Sequence, residues 1–497
     1  MEKKKEIFVI IGSLLVIILS VTLAYFTVQI VGKGKEISAS SADLKITFSS
    51  GSGNISSSNI EPGWSSGTST FTVKNESKDT YKYNIVIKDL VNTFVTTGYL
   101  QYKITSTDGG YNMSEFKDVP KSTAAKDEIL AYSVEIAKGK THSYSIEFKY
   151  LNSPNDQSDD MGKELSGTLY IEKGTLPPTL AEKLLADNPT IKTRTAFNTV
   201  FTETNTGTLY KSTESIAGGT AKDVYYFAGN ATNNWVKFAG FYWRIIRTNA
   251  DGSVRLLYSG TATDTTSGYI GTSKFNSSYN NPMYVGYMYG TSGTLVTNRT
   301  NGNDSTIKGA IDTWYSNNLS SYSKYISTEA VYCNDRKAPS YNSSSSFDYY
   351  VYTRLNAGNP TYDCENSSDA FSASTTGGGN GKLTYPIGLM TADEITYAGG
   401  YKYTDLTSPY AWYYLNSAGG SITGTQWWWL LSPGDWSGYV ASVWGVYGSD
   451  GPGHLRNRNV SISFGVRPAI SLKTCTLWTS GNGAPETPYE ISITSGC

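Results

Sequence analysis

Histidine is nearly missing from this chain: His142 and His454 are the only two in 497 residues. They fall in different compositional blocks, so no Ser-His-Asp arrangement is supported within one domain, and no Gly-x-Ser-x-Gly elbow occurs. No Walker A or Gly-x-Gly-x-x-Gly motif opens a helix. Cysteine is scarce as well, at four. None of the four is spaced Cys-x-x-Cys, which argues against a zinc site. Net charge is also lacking. The 41 basic and 42 acidic residues leave −1, so no global field draws the chain to nucleic acid. Hydrophobic residues, at 39%, are few for a globular chain. These absences read as a protein that is not an enzyme, with no cofactor and no metal.

Aromatic residues and glycine are abundant. Rings make up 13% of the chain, with 39 tyrosines and 49 glycines. A chain that buries rings and turns often favours β structure. Its length suits about three domains.

The N-terminus reads as a membrane or signal segment over residues 1–32. Lys3, Lys4 and Lys5 precede an apolar run over residues 7–31. About 25 residues rising ~1.5 Å each exceed a hydrocarbon core of ~30 Å. The lysines stay cytoplasmic, so the remainder faces outward. The rival reading is a cleaved signal peptide, with Thr22-Leu23-Ala24 as an imperfect small-x-small site. The expected location is the cell membrane with extracellular domains, or secretion or cell-wall association if the chain is cut near Ala24. Four cysteines fit export. They allow three connectivities. Pairing Cys333 with Cys364 and Cys475 with Cys497 is the local solution, and each closure contributes about 3–4 kcal/mol in the chain-entropy view.

Residues 33–172 alternate apolar and polar positions at Leu44-Ile46-Phe48, Tyr83-Ile85-Ile87 and Tyr144-Ile146-Phe148. Half-buried strands between turns predict an all-β sandwich, jelly-roll-like. The acidic stretch at 155–160 lacks EF-hand spacing and its terminal Glu, so a solvated loop is preferred over a calcium site. Residues 173–222 read as a linker with one short helix, opened by the capping box Thr179-Leu180-Ala181-Glu182. Residues 223–497 carry ten of the eleven tryptophans. Asn249-Ala250-Asp251-Gly252 marks a hairpin. Ile307, Ile311, Trp314, Tyr315 and Leu319 recur at helical spacing. Thr391-Ala392-Asp393-Glu394 opens a further helix, so an α+β domain is expected here.

The segment Ala24-Tyr25-Phe26-Thr27, with Ser38 to Leu44, Glu61-Pro62-Gly63 and Phe71 to Asn75, resembles the TasA/camelysin family of exported Gram-positive matrix proteins. That resemblance implies cleavage just before Ala24-Tyr25-Phe26 and self-assembly through the β-sandwich. Here Val28 stands where an acidic residue usually follows Phe-Thr. The third block carries Phe238-Ala239-Gly240-Phe241-Tyr242-Trp243-Arg244-Ile245, Trp428 to Pro433, and Gly465 to Leu472. With these motifs it resembles a C-type-lectin-like domain of unknown function found in surface proteins of gut Firmicutes. Formylglycine-generating enzymes and the variable proteins of diversity-generating retroelements share that broad fold. Cys333 and Cys364 imitate the cysteine pair of the former, but a structural disulfide is the preferred reading in an exported chain. The Glu-Pro-Asn, Gln-Pro-Asp and Trp-Asn-Asp triplets of calcium-dependent sugar binding are absent.

The last third has the palette of an antibody paratope, with rigid Tyr and Trp among Ser, Gly and Asn. In residues 439–447 the small Ala441, Val443 and Gly445 are expected to face inward, leaving Ser442, Trp444 and Val446 outward. Arg456 and Arg458 alternate on the returning segment. The candidate ligand-binding residues are Asp435, Trp436, Tyr439, Ser442, Trp444, Tyr447, His454, Arg456 and Arg458. Of the run Trp427-Trp428-Trp429, one face must be core. Arg467 reads as a structural arginine bonding loop carbonyls. The expectation is a cell-surface recognition or adhesion protein for an extracellular protein or glycan. The alternative is a TasA-like fibre component.

Overall fold

The computed structural model describes residues 44–50, 55–56, 62–76, 79–96, 98–160, 163–405, 412–415, 420–451, 453–493 and 497. The expected membrane or signal segment at 7–31 and the Ala24 site lie outside them. Among the described residues, no helix is long and apolar enough to cross a membrane. The chain is mostly β-sheet with few helices, in two compact units, Met1–Pro177 and Pro178–Cys497.

The first unit is a β-sandwich. One antiparallel sheet runs Leu44–Ser50, Ser65–Asn75, Thr141–Tyr150, Leu100–Ser106 and Lys117–Asp118 in spatial order. The other runs Ile55–Ser56, Leu165–Lys173, Tyr81–Asn92 and Ser122–Ile136. Alternation is what places the core between them. In Thr141–Tyr150 every second residue from His142 to Tyr150 is buried, and those between are half-buried or exposed. Phe71, Ile104 and Ile146 of one sheet share a core with Tyr83, Ile85 and Leu169 of the other. The Tyr83 hydroxyl bridges the sheets, 2.8 Å from His142 Nδ1 and 2.5 Å from the Tyr144 hydroxyl.

The acidic stretch at 155–160 is not solvated throughout. Asp160 is buried and accepts from the Tyr150 hydroxyl at 2.6 Å, the Thr96 amide at 3.1 Å and the Val95 amide. Backbone amides and a hydroxyl donate to this carboxylate. Among the described residues, no group of three or more His, Cys, Asp or Glu side chains is arranged to hold a metal.

The second unit contains a ten-stranded sheet. Its path is Thr190–Lys192, Thr208–Glu214, Lys222–Tyr226, Phe241–Thr248, Trp235–Phe238, Tyr489–Ile491 and Trp478–Ser480. Phe241–Thr248 also pairs with Val254–Tyr258, which pairs in turn with Pro468–Leu472. Gly252, at φ +81°, makes the turn of the hairpin between the first two. Helices Leu180–Asp187 and Ala392–Ala398 open on capping boxes at Thr179 and Thr391, and Thr306–Asn318 buries Ile307, Ile311 and Tyr315. Disulfides join Cys333 to Cys364 and Cys475 to Cys497. Such bonds belong to a chain in an oxidising, extracellular or secretory setting.

Two expectations need correction. Residues 173–222 are not simply a linker around a helix. Thr190–Lys192 and Thr208–Glu214 are strands of the large sheet, and Leu209 and Tyr210 are buried. Polar Thr/Asn-rich sequence hides this, because backbone pairing and the buried Glu214–Arg247 ion pair hold the segment instead of an apolar run. The alternation Tyr489-Glu490-Ile491-Ser492-Ile493 predicts a returning edge strand beside Ala469–Leu472, but the closing strand Tyr489–Ile491 does not lie there. It pairs parallel with Trp235–Phe238 and antiparallel with Trp478–Ser480, because Pro468–Leu472 already has Val254–Tyr258 and Gly388–Leu389 as neighbours.

Candidate binding face on the terminal sheet

A second sheet of this unit carries the paratope-like sequence. Its order is Thr272–Lys274, Ser463–Gly465, Trp428–Trp436, Ala441–Val446 and Leu455–Asn459, with Phe347–Asp348 paired to Trp428–Trp436. The register decides which side chains share a face. Gly445 lies opposite Arg456, and Val443 opposite Arg458. Tyr447 follows on the same face, its amide donating to the His454 carbonyl.

These positions build a row of rings and guanidiniums. Trp427 stacks on Tyr447 with planes 29° apart. Tyr447 stacks on His454 at 4.4 Å between centroids. Arg458 lies 4.7 Å from the Trp427 ring and donates to the Tyr447 hydroxyl at 2.6 Å. Arg456 reaches the same hydroxyl at 3.4 Å and sits 5.8 Å from the Tyr403 ring. Trp427, Tyr447, His454, Arg456 and Arg458 are all half-buried, so part of each remains open to solvent. Three carboxylates lie at the rim, each bonded to a neighbour other than the two arginines. Asp405 meets His454 Nδ1 at 2.6 Å, Asp450 accepts from Trp427 Nε1 at 3.3 Å, and Asp435 accepts from Asn457 Nδ2 at 2.5 Å. Burial pushes the Asp435 carboxyl above its ordinary range, and Asp435 in turn adds to the upward shift that burial gives Asp348.

Residue size suggests that Ser442, Trp444 and Val446 face outward, but both faces of Ala441–Val446 are covered and only Tyr447 beyond them is half-buried. The small positions lie under the open row because neighbouring rings cross there. A Cβ on Gly445 would sit 3.1 Å from the Trp428 carbonyl and 3.8 Å from Phe464. Trp444, on the opposite face, is fully buried against Tyr352 of helix Tyr350–Ala357 and against Tyr403. Ser442 is buried with it, and Trp436 is buried with its Nε1 donating to the Ser343 carbonyl. Trp436, Ser442 and Trp444 are therefore core positions rather than surface contacts. Layers beyond the strand cover them, and a single strand's alternation carries no record of those layers. Tyr439 is 81% exposed at the hairpin tip and makes no ring contact with the row.

Trp428 and Trp429 are both buried, so both faces of the sheet are covered there and only Trp427 is left partly open. Arg467 is fully buried. It donates to the Tyr258 carbonyl at 3.1 Å and the Ser259 hydroxyl at 3.2 Å, and lies 4.6 Å from the Trp428 ring. Burial pulls its guanidinium down to about 9, with the Tyr414 and Tyr413 hydroxyls opposing. Trp427, Tyr403 and Asp405 complete the row beyond the candidates drawn from sequence. Only Trp427 carried a signal, as the outer member of a tryptophan run. Tyr403 and Asp405 come from a segment whose backbone runs beside Leu455.

A second polar cluster lies inside the unit. Arg247 pairs with Glu214 and Glu394, Arg255 with Glu394, and Arg354 with Asp335 and Asp393. The Cys333–Cys364 disulfide lines the same cleft, whose free space is about 20 Å³. That is room for about one water. Its charges compensate one another, and the cluster fixes the large sheet against helix Ala392–Ala398.

No protein-family model matches the chain, and no curated protein matches it. A solved structure described as a ruminal GH26 endo-β-1,4-mannanase aligns at 17% identity over 33% of this chain, with a TM-score of 0.16. The alignment spans only 28% of that structure, and at such a score it bears on neither fold nor function.

Proposed function

We propose that this is a cell-surface recognition protein whose second unit has a C-type-lectin-like fold and binds an extracellular protein or glycan. The observation that carries the reading is the half-open row of Trp427, Tyr447 and His454 flanked by Arg456 and Arg458. Aromatic and arginine side chains dominate the energetics of recognition surfaces. A rigid ring row needs little ordering on binding. The fold assignment is supported by pairing between early and late strands of the unit. Trp235–Phe238 pairs with Tyr489–Ile491, while the opening and closing motifs meet through Val254–Tyr258. Recognition of this kind needs no catalytic group and no cofactor. A membrane anchor at residues 7–31, or release by cleavage near Ala24, both present the unit outside the cell.

Binding of the exported chain to cells and to glycan and protein arrays tests the reading. Trp427→Ala with Tyr447→Ala should abolish binding, while Tyr439→Ala should leave it intact. Array binding unchanged in the double variant would sink the assignment.

The fibre reading has its own observation. Among the described residues, Ser122–Ile136 spans 15 residues at the edge of its sheet and pairs only with Tyr81–Asn92. An open edge accepts an added strand. Charged Lys126, Asp127 and Glu128 near its middle work against that, which ranks this reading second. Electron microscopy of the purified exported chain separates the two: filaments favour the fibre, dispersed particles the recognition protein.

A further inference from the structure

We infer that the ligand of the terminal-sheet face is an anionic glycan, its carboxylate or sulfate held between Arg456 and Arg458 while the sugar packs against the half-open edges of Trp427 and Tyr447. This rests on the reading of that face as the binding surface.

The argument starts from how this unit treats its other arginines. Arg247, Arg255, Arg299, Arg336 and Arg354 each have a carboxylate within ion-pair distance, and Arg194, Arg244 and Arg467 donate to backbone carbonyls instead. Arg456 and Arg458 have none among the described residues, although both stand on an edge strand with acids close by. The Tyr447 hydroxyl is the one side-chain acceptor they share, at 3.4 and 2.6 Å. A guanidinium carries five N–H donors in a rigid fork. Most of the donors of this pair are therefore left for solvent or a ligand.

Among the described residues the neighbouring acids make no ion pair with the two arginines, and each is positioned by another donor. Asp405 is held by His454, Asp450 by the Trp427 indole and Asp435 by Asn457. The Tyr447 hydroxyl and the ring contacts then fix where the two guanidiniums point. Arg458 is braced on Trp427 and Arg456 lies near Tyr403. A braced pair without a direct ion pair, two residues apart on one strand face, suits the fork-to-fork recognition of a carboxylate or sulfate. Trp427 and His454 cover the two faces of Tyr447, so the stack beside the pair presents half-open ring edges against which a sugar can pack. A neutral glycan would use the rings and leave both cations unanswered. An acidic sugar engages both at once.

Calorimetric titration of the full chain in detergent micelles tests this with four polymers: polygalacturonate, its methyl ester, dextran sulfate and unmodified dextran. At least one anionic polymer should bind about tenfold or more tightly than its neutral counterpart, a gap one charge-assisted contact can supply. The carboxylate and sulfate arms identify which anion is preferred. Arg456→Gln with Arg458→Gln should erase the preference. Added salt should weaken binding of the unaltered protein, which tests the same point without substitution. Equal binding of charged and neutral polymers, no binding of either anionic polymer, or a preference that survives the double substitution overturns the inference. If neutral polymer binds and Trp427→Ala removes that binding, the face stands and only its anion selectivity falls. If Trp427→Ala binds every polymer as the parent does, the face itself is wrong.

Discussion

Arg247 donates from Nε to Glu394 at 2.9 Å, with both side chains buried and the two residues 147 positions apart in sequence. Arg255 meets the same carboxylate at 2.7 Å. One acid thus joins two strands of the large sheet to the helix whose capping box it also completes.

Removing that charge should cost far more than a surface pair would. Glu394→Gln leaves two buried guanidiniums short of a partner, and a broken buried pair costs about 3–5 kcal/mol. Thermal denaturation should show a loss of several degrees in the second unit. A melting point within one degree of the parent would mean the cluster is not holding the sheet.

The same group sets an acid limit. Burial alone would push the Glu394 carboxyl up, but Arg255 and Arg247 outweigh it and hold the group below its ordinary value of 4.5. Because the folded value is depressed, this stabilisation is complete above 4.5 and is lost as pH falls through the lower folded value. Melting followed against pH should show that acid-side loss in the parent and a shallower one in Glu394→Gln.

Trp444 and Tyr439 should separate stability from surface exposure. Trp444→Ala removes a fully buried ring and should cost about 3–5 kcal/mol. Tyr439→Ala, at a position 81% exposed, should leave the melting point unchanged. Denaturant unfolding of the two variants checks both, and equal effects would contradict the placement of Trp444 in the core.

The C-terminal bond should matter to the closing strands. Cys475 and Cys497 are 22 residues apart, and the segment between them holds Trp478–Ser480 and Tyr489–Ile491. Opening a loop of that size costs about 3 kcal/mol in the chain-entropy view. Non-reducing peptide mapping should find the crosslink, and Cys497→Ser should lower the melting temperature by several degrees. Recovery of Cys475 joined to Cys333 or Cys364 would refute the pairing.

His142 gives the sandwich a milder pH response. Burial lowers its imidazole below 6.5, with Asp108 opposing. The stabilisation is complete above 6.5 and declines as pH falls through the lower folded value. Amide hydrogen exchange in Tyr81–Asn92 and Thr141–Tyr150 should quicken over that range, and His142→Gln should flatten the response. An identical pH profile in the variant would assign the change to another group.

The sequence by itself determined the elements whose signal is local. Period-2 alternation from Tyr83 to Ile87 and from Tyr144 to Phe148 is enough to specify sandwich strands, because a strand side chain has only two faces to choose from. Thr179 with Glu182, and Thr391 with Glu394, fix helix starts within four residues. The cysteine pairs lie close enough along the chain for the local pairing to be the natural one. Tertiary structure alone decided that both faces of Ala441–Val446 are covered. Size alternation there is ambiguous, since small residues make room equally well for a core and for rings crossing from Phe464 and Trp427. It also decided that Trp444 is core, by laying Tyr352 and Tyr403 over it, and that Thr208–Glu214 is a strand, by giving Glu214 an arginine to meet. The face itself exists only in register: Trp427, Tyr447, His454 and the two arginines become one row because three separate strands align there. That alignment is set by backbone pairing and long-range packing, which no single stretch of sequence contains.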